Sequence, residues 1–166
     1  KNDCLPRTIC PDGTGMKEKH KQQRALDYPR HIVCLTEETT EILYLLGEDA
    51  RIVGVSGYTV RPKEARSKPK VSAFTSARLD RIEQLSPDLV LAFSDLQADI
   101  ASELIRRGLT VLTFNQRSVN EILQVIQTLA NLVGVSQKGS ALVSELSSGL
   151  EEIEKSARRF PHRPRV

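Results

Sequence analysis

The sequence predicts an α/β fold: a Rossmann-like three-layer lobe with a short, mainly parallel sheet, followed by a long connecting helix. Two observations predict the lobe, because short continuous apolar runs recur along the chain and amphipathic helical patterns separate them. Strands that alternate with helices favour a parallel sheet covered on both faces. A third observation predicts the connecting helix, since apolar residues keep a helical period across residues 136–160.

The first segment, residues 1–29, is polar, contains Pro and Gly and lacks both apolar periods, so we predict a disordered leader. The chain has three cysteines and no CxxC pair. Cys34 lies in a predicted buried strand and is expected to behave as a small core hydrophobe. Cys4 and Cys10 can pair only in an oxidising compartment. We predict no metal site, because the spacing of the possible zinc ligands matches no standard module: Cys4, Cys10, His20 and His31.

Residues 30–62 form the first predicted unit of the sheet, which consists of a strand, a helix, a second strand and an aromatic loop. The apolar runs at 32–35 and 51–55 supply the two strands. Thr36 can cap the helix, and Gly47 stands where a helix would end in the left-handed conformation.

The rest of the chain repeats these patterns. The remaining predicted elements, in chain order, are a helical turn at 63–67, an extended piece at 69–71, a helix at 79–85, a strand at 89–93, a helix from 94 or 95 to 107, a strand at 109–114, a helix at 118–133 and the long helix at 136–160. Ser118 and Glu121 have the spacing of a capping box, in which each side chain satisfies the other's free backbone amide.

Length and composition exclude several classes of protein. The 166 residues suit one well-buried domain and are too few for two comfortable ones. The net charge of +3 is small and the charges are mixed, so we expect no nucleic-acid partner. No apolar run approaches the roughly 20 residues that span a bilayer, and the first 25 residues contain no apolar core typical of a signal peptide. We expect a monomer that is not inserted in a membrane.

The predicted ligand edge is the one where the parallel strands end, since ligands of such sheets bind there. Most of the chain's three Tyr and four Phe follow strand ends: Tyr58, Phe74, Phe93 and Phe114. Small or polar side chains accompany them: Thr36, Glu37, Thr39, Ser72, Thr75, Ser94, Asp95, Gln97, Asn115 and Gln116. Aromatic faces with a few polar groups suit a large, flat, partly apolar ligand. The alternative is that each aromatic ring only closes the end of the core.

The same edge lacks the signals of nucleotide binding and of catalysis. No glycine-rich loop follows a strand, and Glu37 and Glu38 would repel a phosphate at their helix end. The histidines lie away from this edge, and no nucleophile-elbow sequence is present. We therefore predict a binding protein rather than an enzyme, with no catalytic residue and no cofactor.

Five segments of the lobe carry a family resemblance: TEETTE at 36–41, VGVSGYT at 53–59, VSAFTS at 71–76, LDRI at 79–82 and SPDLVLA at 86–92. Together they resemble the amino-terminal lobe of the cobalamin-binding proteins of ABC importers. These proteins belong to the helical-backbone class of substrate-binding proteins, which also carries iron-siderophores and haem. The similarity extends over about residues 30–166.

The resemblance implies two α/β lobes joined by one rigid helix, with cobalamin as the transported ligand between them and little hinge motion. Residues 30–135 then form the amino-terminal ligand-binding lobe, and residues 136–160 the inter-lobe helix. Residues 161–166 begin a second lobe that we expect to lie outside this chain. The resemblance also implies a periplasmic or cell-surface location.

Carried over by position, the resemblance implies which residues face the corrin ring: Thr36, Glu37, Glu38, Thr39, Tyr58, Ser72, Ala73, Phe74, Thr75, Phe93, Ser94, Asp95, Asn115 and Gln116. It implies an ABC permease as partner, because family members bind permease arginines through an acidic residue on each lobe. Asp80 falls at that place, where Glu is common. The alternative for Asp80 is a solvated acid at the start of a helix.

Three alternatives remain open. An iron-siderophore or haem receptor of the same class offers Arg, Tyr or His to its ligand, and Arg61 and Arg117 are the basic candidates near the edge. A cytoplasmic tetrapyrrole-handling, chelatase-like protein shares this sheet, and a histidine in the cleft would favour it. A single lobe can also act as an interaction module.

Overall fold

The fold is known from a computed structural model, which describes residues 28–159 and confirms the predicted α/β class. The strands are β1 (Ile32–Cys34), β2 (Ile52–Ser56), β3 (Lys70–Ala73), β4 (Ser76–Ala77), β5 (Leu89–Phe93) and β6 (Val111–Phe114). The helices are α1 (Glu37–Leu45), α2 (Leu79–Gln84), α3 (Ala98–Arg106), α4 (Val119–Leu132) and α5 (Ser136–Ala157). Short 3₁₀ helices occupy Asp49–Arg51, Lys63–Ser67 and Asp95–Gln97. Most of the predicted leader and the predicted start of a second lobe lie outside the described residues.

The six strands form one sheet in the order β4-β3-β2-β1-β5-β6. All neighbouring pairs are parallel except β3 and β4, which form an antiparallel hairpin. The chain therefore reverses its direction of travel across the sheet between β1 and β5. This hairpin is absent from the sequence prediction, because β4 contains only two residues and no apolar run.

Alternation along β1 explains the three layers. Ile32 and Cys34 pack with α1 and α4 on one face of the sheet, whereas Val33 and Leu35 pack with α2 and α3 on the other. Successive side chains of a strand point to opposite faces, so a strand covered by helices on both sides must be apolar throughout. This is why short continuous apolar runs predict the strands.

The helix boundaries are partly as predicted. Gly47, Gly108 and Gly134 follow α1, α3 and α4 with φ between 71° and 82°, the left-handed conformation that ends helices. Thr36 precedes α1, but the prediction that its side chain caps the helix is wrong. Its hydroxyl is buried and lies 3.4 Å from the hydroxyl of Thr39, so it forms a side-chain hydrogen bond there instead of capping the helix.

The predicted capping box at α4 forms only in part. Ser118 Oγ accepts a hydrogen bond from the Glu121 amide at 3.3 Å. The carboxylate of Glu121 accepts mainly from the amide of Arg117, with a smaller contribution from that of Ser118. This hydrogen bond lowers the pKa of Glu121, because it stabilises the charged carboxylate.

The long helix α5 packs antiparallel on α4 and has 22 residues, about 33 Å. It ends at Ala157, before the predicted end at residue 160, which lies outside the described residues. A Cβ atom on Gly139 would collide with the methyl group of Ala130, so the backbone of α5 lies directly against that methyl group of α4. Lys138 Nζ donates to the carbonyl of Leu46 at 3.0 Å and lies 3.3 Å from Glu48. These contacts fix the amino-terminal part of α5 to the lobe.

None of the helices within residues 28–159 has both the length and the apolar character needed to cross a membrane.

Cys34 is a fully buried free thiol in β1, as the sequence predicts. Burial raises the pKa of Cys34 from 9.0 to about 11, although hydrogen bonds with Thr39 and Thr40 oppose the shift. The raised pKa means that burial disfavours the thiolate in the folded chain. The stabilisation that Cys34 contributes as a protonated thiol is therefore present below pH 9.0 and is lost as the pH rises towards 11.

We expect iodoacetamide at mildly alkaline pH to leave Cys34 unmodified in the folded chain and to modify it fully in denaturant, because the thiolate is the reactive form. Peptide mass spectrometry resolves Cys34 from the other cysteines. Rapid modification of Cys34 under native conditions would contradict its burial.

Candidate functional site

The candidate site lies at the carboxyl edge of the parallel strands. We call it the rim and define it as the loops that follow β1, β2, β3, β5 and β6. The helices after β1 and β5, α1 and α3, cover opposite faces of the sheet. Two neighbouring strands whose connections leave in opposite directions open a crevice between them, which is where such folds bind ligands.

One cavity at the rim, which we call the aromatic pocket, has a volume of about 450 Å³. Its lining residues are Thr36, Glu37, Glu38, Ser56, Tyr58, Val60 and Phe74. The Tyr58 side chain is 63% exposed, so its ring is open to a ligand rather than closing the core. Val60 and Ser56 are absent from the predicted set. The signal for Val60 is its position two residues after Tyr58 in the same loop.

A second cavity of about 510 Å³ lies beside β6, and we call it the β6 pocket. Its lining residues are Ser94, Asp95, Ala98, Ala101, Ser102, Ile105, Arg106, Thr113 and Asn115. It brings together predicted rim residues from the loops after β5 and β6. The contributions from α3 are not predicted, because they follow from the packing of that helix against the edge strand.

Several predicted site residues lie behind the surface of the rim. The buried ones are Thr36, Thr39, Ser72 and Ser94. Ser72 Oγ lies 3.5 Å from the carbonyl of Leu35, and Ser94 Oγ accepts a hydrogen bond from the amide of Leu96 at 3.3 Å. Hydroxyl groups used in this way shape the loops of the rim.

The other predicted residues reach its surface to different extents. The exposed residues are Glu37, Glu38, Tyr58, Ala73, Thr75, Asp95 and Asn115, and the half-buried ones are Phe74, Phe93 and Gln116. The exposed set combines three carboxylates, one amide, two hydroxyls of which one is phenolic, an aromatic ring and a methyl group.

Gln97 differs most from its expected role as a polar group facing the ligand, because it is completely buried. Its Oε1 accepts a hydrogen bond from the amide of Phe93 at 2.9 Å. Its Nε2 donates to the carbonyl of Phe74 at 2.9 Å and lies 3.4 Å from the carbonyl of Leu35. One side chain therefore links the ends of β1 and β5 to the turn after β3.

Ser94 begins the loop after β5 with φ of 56°, an uncommon conformation for a residue other than glycine. Its amide donates to the carbonyl of Phe114 at 2.7 Å. This contact and the hydrogen bond from the Phe93 amide to Gln97 hold the turn from both sides of Ser94. Folded proteins retain strained residues where the surrounding contacts fix the backbone in this way. The sequence carries no signal for this conformation.

Two arginines at the rim, Arg117 and Arg61, are each held by a carboxylate, whereas Arg66 in the loop after β2 donates to the carbonyl of Val60 at 2.9 Å. Arg117 Nη2 donates to Asn115 at 2.8 Å and to Asp95 at 3.2 Å, and its guanidinium lies 5.8 Å from the centre of the Phe93 ring. Arg61 lies 3.5 Å from Glu41. The positive charges that would suit an anionic ligand are therefore partly neutralised by the chain itself.

Asp80 lies in the first turn of α2, and its side chain is 85% exposed. Its carboxylate accepts a hydrogen bond from Arg107 Nη1 at 2.7 Å, and the same nitrogen lies 2.8 Å from Glu83. Hydrogen bonds to Asp80, Glu83 and Glu103 raise the pKa of Arg107. Asp80 is thus both accessible and already paired within the lobe.

Within residues 28–159 the structure contains no group of three or more His, Cys, Asp and Glu side chains arranged to hold a metal ion. His31 is exposed at the amino end of β1, away from the rim. Cys4, Cys10 and His20 lie outside the described residues.

Comparison with known proteins identifies relatives of the whole lobe. A family described as periplasmic binding protein matches residues 32–166. An uncharacterized ABC transporter substrate-binding lipoprotein of Bacillus subtilis is 34% identical over 134 residues, which is 78% of this chain and 42% of that protein. A vitamin B12-binding protein of Vibrio campbellii is 26% identical over 126 residues, 75% of this chain and 46% of the relative. The chain spans about half the length of these curated relatives.

Solved structures share the fold. A periplasmic vitamin B12 binding protein of Vibrio cholerae has a TM-score of 0.72 at 22% identity, over 79% of this chain and 52% of that one. A periplasmic heme binding protein of Pseudomonas aeruginosa has a TM-score of 0.75 at 20% identity, over 82% and 50% respectively. At these identities the likeness establishes the fold of the lobe, which agrees with the predicted class.

Proposed function

Because the chain belongs to the periplasmic binding protein family, we propose that it forms the amino-terminal half of the substrate-binding protein of an ABC importer and that the imported ligand is cobalamin. The observation that carries the ligand is the aromatic pocket, where Tyr58 offers an exposed ring beside Phe74. Large flat ligands bind to aromatic faces that have a few polar groups at their border. The rim supplies both.

The long helix supports the proposal of a two-lobed protein. Beyond its fixed amino-terminal part, α5 has exposed apolar side chains at Leu146, Leu150 and Ile153. Apolar residues spaced at one helical turn form a stripe that suits packing against another part of a protein. We propose that α5 is the inter-lobe helix and that the ligand lies between the rim and a second lobe.

An iron-siderophore or haem receptor is the second candidate within the same class. It is favoured by structural relatives named as heme and siderophore binding proteins and by the position of Arg117 above the Phe93 ring. Against it stands the pairing of Arg117 with Asp95, which reduces the positive charge available to an anionic chelate. A chelatase-like enzyme lacks support, because His31 is remote from the rim.

Titration of the full-length protein with cyanocobalamin, haem and ferric siderophores tests the ligand. We expect the tightest binding for cyanocobalamin, and weak binding to the present chain alone, because half of the contact surface would be missing. Tight binding of haem or a siderophore without cyanocobalamin would contradict the ligand assignment. Equal affinity of the chain and the full-length protein would contradict a two-lobed site.

We further propose a periplasmic or cell-surface location and docking to an ABC permease through Asp80. We expect Asp80→Ala to weaken permease association of the full-length protein, because an arginine of the permease would lose the exposed carboxylate that it pairs with. Association measured at low and high salt checks this, since pairs at an interface rim are screened by salt.

The matched control for docking is Glu83→Ala. Glu83 binds the same Arg107 nitrogen as Asp80, but its side chain is only 40% exposed. If Asp80 acts by contact with the permease, Glu83→Ala leaves association nearly unchanged. Equal losses in both variants would show that the effect passes through Arg107, and unchanged association in Asp80→Ala would remove the docking role.

A further inference from the structure

We propose that Glu37 and Glu38 make the rim selective by charge, so that it accepts neutral or cationic metal chelates and excludes anionic ones. This inference rests on the proposed function, because it concerns the class of ligand that the same rim binds. It assigns to two residues a selection that the aromatic rings cannot make, since rings contact any flat ligand.

The two arginines that the sequence offers as basic candidates at the rim are each paired with a carboxylate. Arg117 is bound by Asp95 and Asn115, and Arg61 lies beside Glu41. An anionic ligand would have to compete with these internal carboxylates. Surface pairs of this kind are weak, but each carboxylate also adds a negative charge close to the arginine that would bind the ligand.

Glu37 and Glu38, by contrast, have no ion-pair partner within residues 28–159. Both are exposed, and both line the aromatic pocket with Tyr58. They occupy the first turn of α1, whose dipole carries only about half a positive charge. The residues that line the aromatic pocket therefore carry two negative charges and no positive one.

The two carboxylates act on the charge of a bound ligand. A chelate that stacks on Tyr58 brings its edge close to two carboxylates. A neutral corrinoid experiences little effect, whereas the propionates of haem or a polyanionic ferric tris-catecholate are repelled. Repulsion at the border of a site acts mainly on the association rate and weakens with salt.

The test compares the full-length protein with its Glu37→Gln/Glu38→Gln variant, using cyanocobalamin, haem and a ferric tris-catecholate as probes at low and high salt. We expect the variant to bind the two anionic chelates about tenfold more tightly at low salt, with a smaller gain at high salt. The affinity for cyanocobalamin should be nearly unchanged.

The control is Asp49→Asn/Glu145→Gln, which makes the same change in net charge at two positions outside the rim. Asp49 lies between the carboxyl end of α1 and the start of β2, and Glu145 is exposed on α5. An equal gain for the anionic chelates in this control would overturn the inference, because total charge rather than the rim would then decide. Unchanged anionic affinity in the Glu37→Gln/Glu38→Gln variant would also overturn it.

The two proposals fail separately. If the protein does not bind cyanocobalamin but the variant gains affinity for anionic chelates, the cobalamin proposal fails and charge selection stands. If cyanocobalamin binds and the variant gains nothing, charge selection fails and the cobalamin proposal stands.

Discussion

Replacing Gln97 with methionine is expected to lower the free energy of unfolding by about 3 kcal/mol, because it leaves buried backbone groups without partners. Methionine has a similar length and is apolar, so the space remains filled while the hydrogen bonds to Phe93 and Phe74 are lost. Urea denaturation followed by circular dichroism measures the change.

The control for this prediction is Gln124→Met, which introduces the same residue at an exposed position of α4. We expect it to change stability by less than about 0.5 kcal/mol. Equal losses in the two variants would show that the hydrogen bonds of Gln97 contribute little. Because Gln97 links three rim segments, ligand affinity in the full-length protein should fall for Gln97→Met and remain for Gln124→Met.

Replacing Gly139 with alanine is expected to destabilise the chain by about 2 kcal/mol, because the new methyl group would collide with that of Ala130. Neither side chain has a rotamer that could relieve the contact, so the backbones of α4 and α5 must separate. Thermal and urea denaturation measure the loss. The outcome that would contradict this packing is an unchanged midpoint.

Gly149 provides a control on the same helix, because a Cβ atom added there meets no atom within 4 Å. We expect Gly149→Ala to stabilise α5 by up to about 1 kcal/mol, since alanine favours helix more than glycine does. Combining Gly139→Ala with Ala130→Gly should recover part of the loss. Failure of this second change to recover stability would place the strain elsewhere.

The elements that sequence reasoning predicts well are those whose pattern has a single physical cause. The strand at residues 89–93 is correct at both ends, because burial on both faces requires every residue to be apolar. The helix stops at Gly47, Gly108 and Gly134 are also correct, since their left-handed conformation favours glycine. In both cases the cause acts within a few neighbouring residues.

The features that sequence reasoning misses depend on distant partners. Thr36 has the residue type and position of a cap, yet its hydroxyl contacts Thr39 inside the lobe. Gln97 looks like a ligand contact, because a polar residue after a strand can face either a ligand or the backbone behind it. Only the approach of the Phe74 carbonyl, 23 residues away, makes it structural. The exposed aromatic ring of Tyr58 is anticipated, but its accessibility follows from the loops around it.

The contact between Gly139 and Ala130 fixes α5 near its amino-terminal end, so a small change of angle there moves the other end of the helix. From Gly139 to Ala157 the helix extends about 27 Å. Rotation of α5 by one degree about Gly139 therefore displaces Ala157 by about 0.5 Å, and rotation by five degrees displaces it by about 2 Å. Hydrogen bonds tolerate far less than that. The direction of the far end of α5 relative to the lobe is thus set by the absence of a side chain at residue 139.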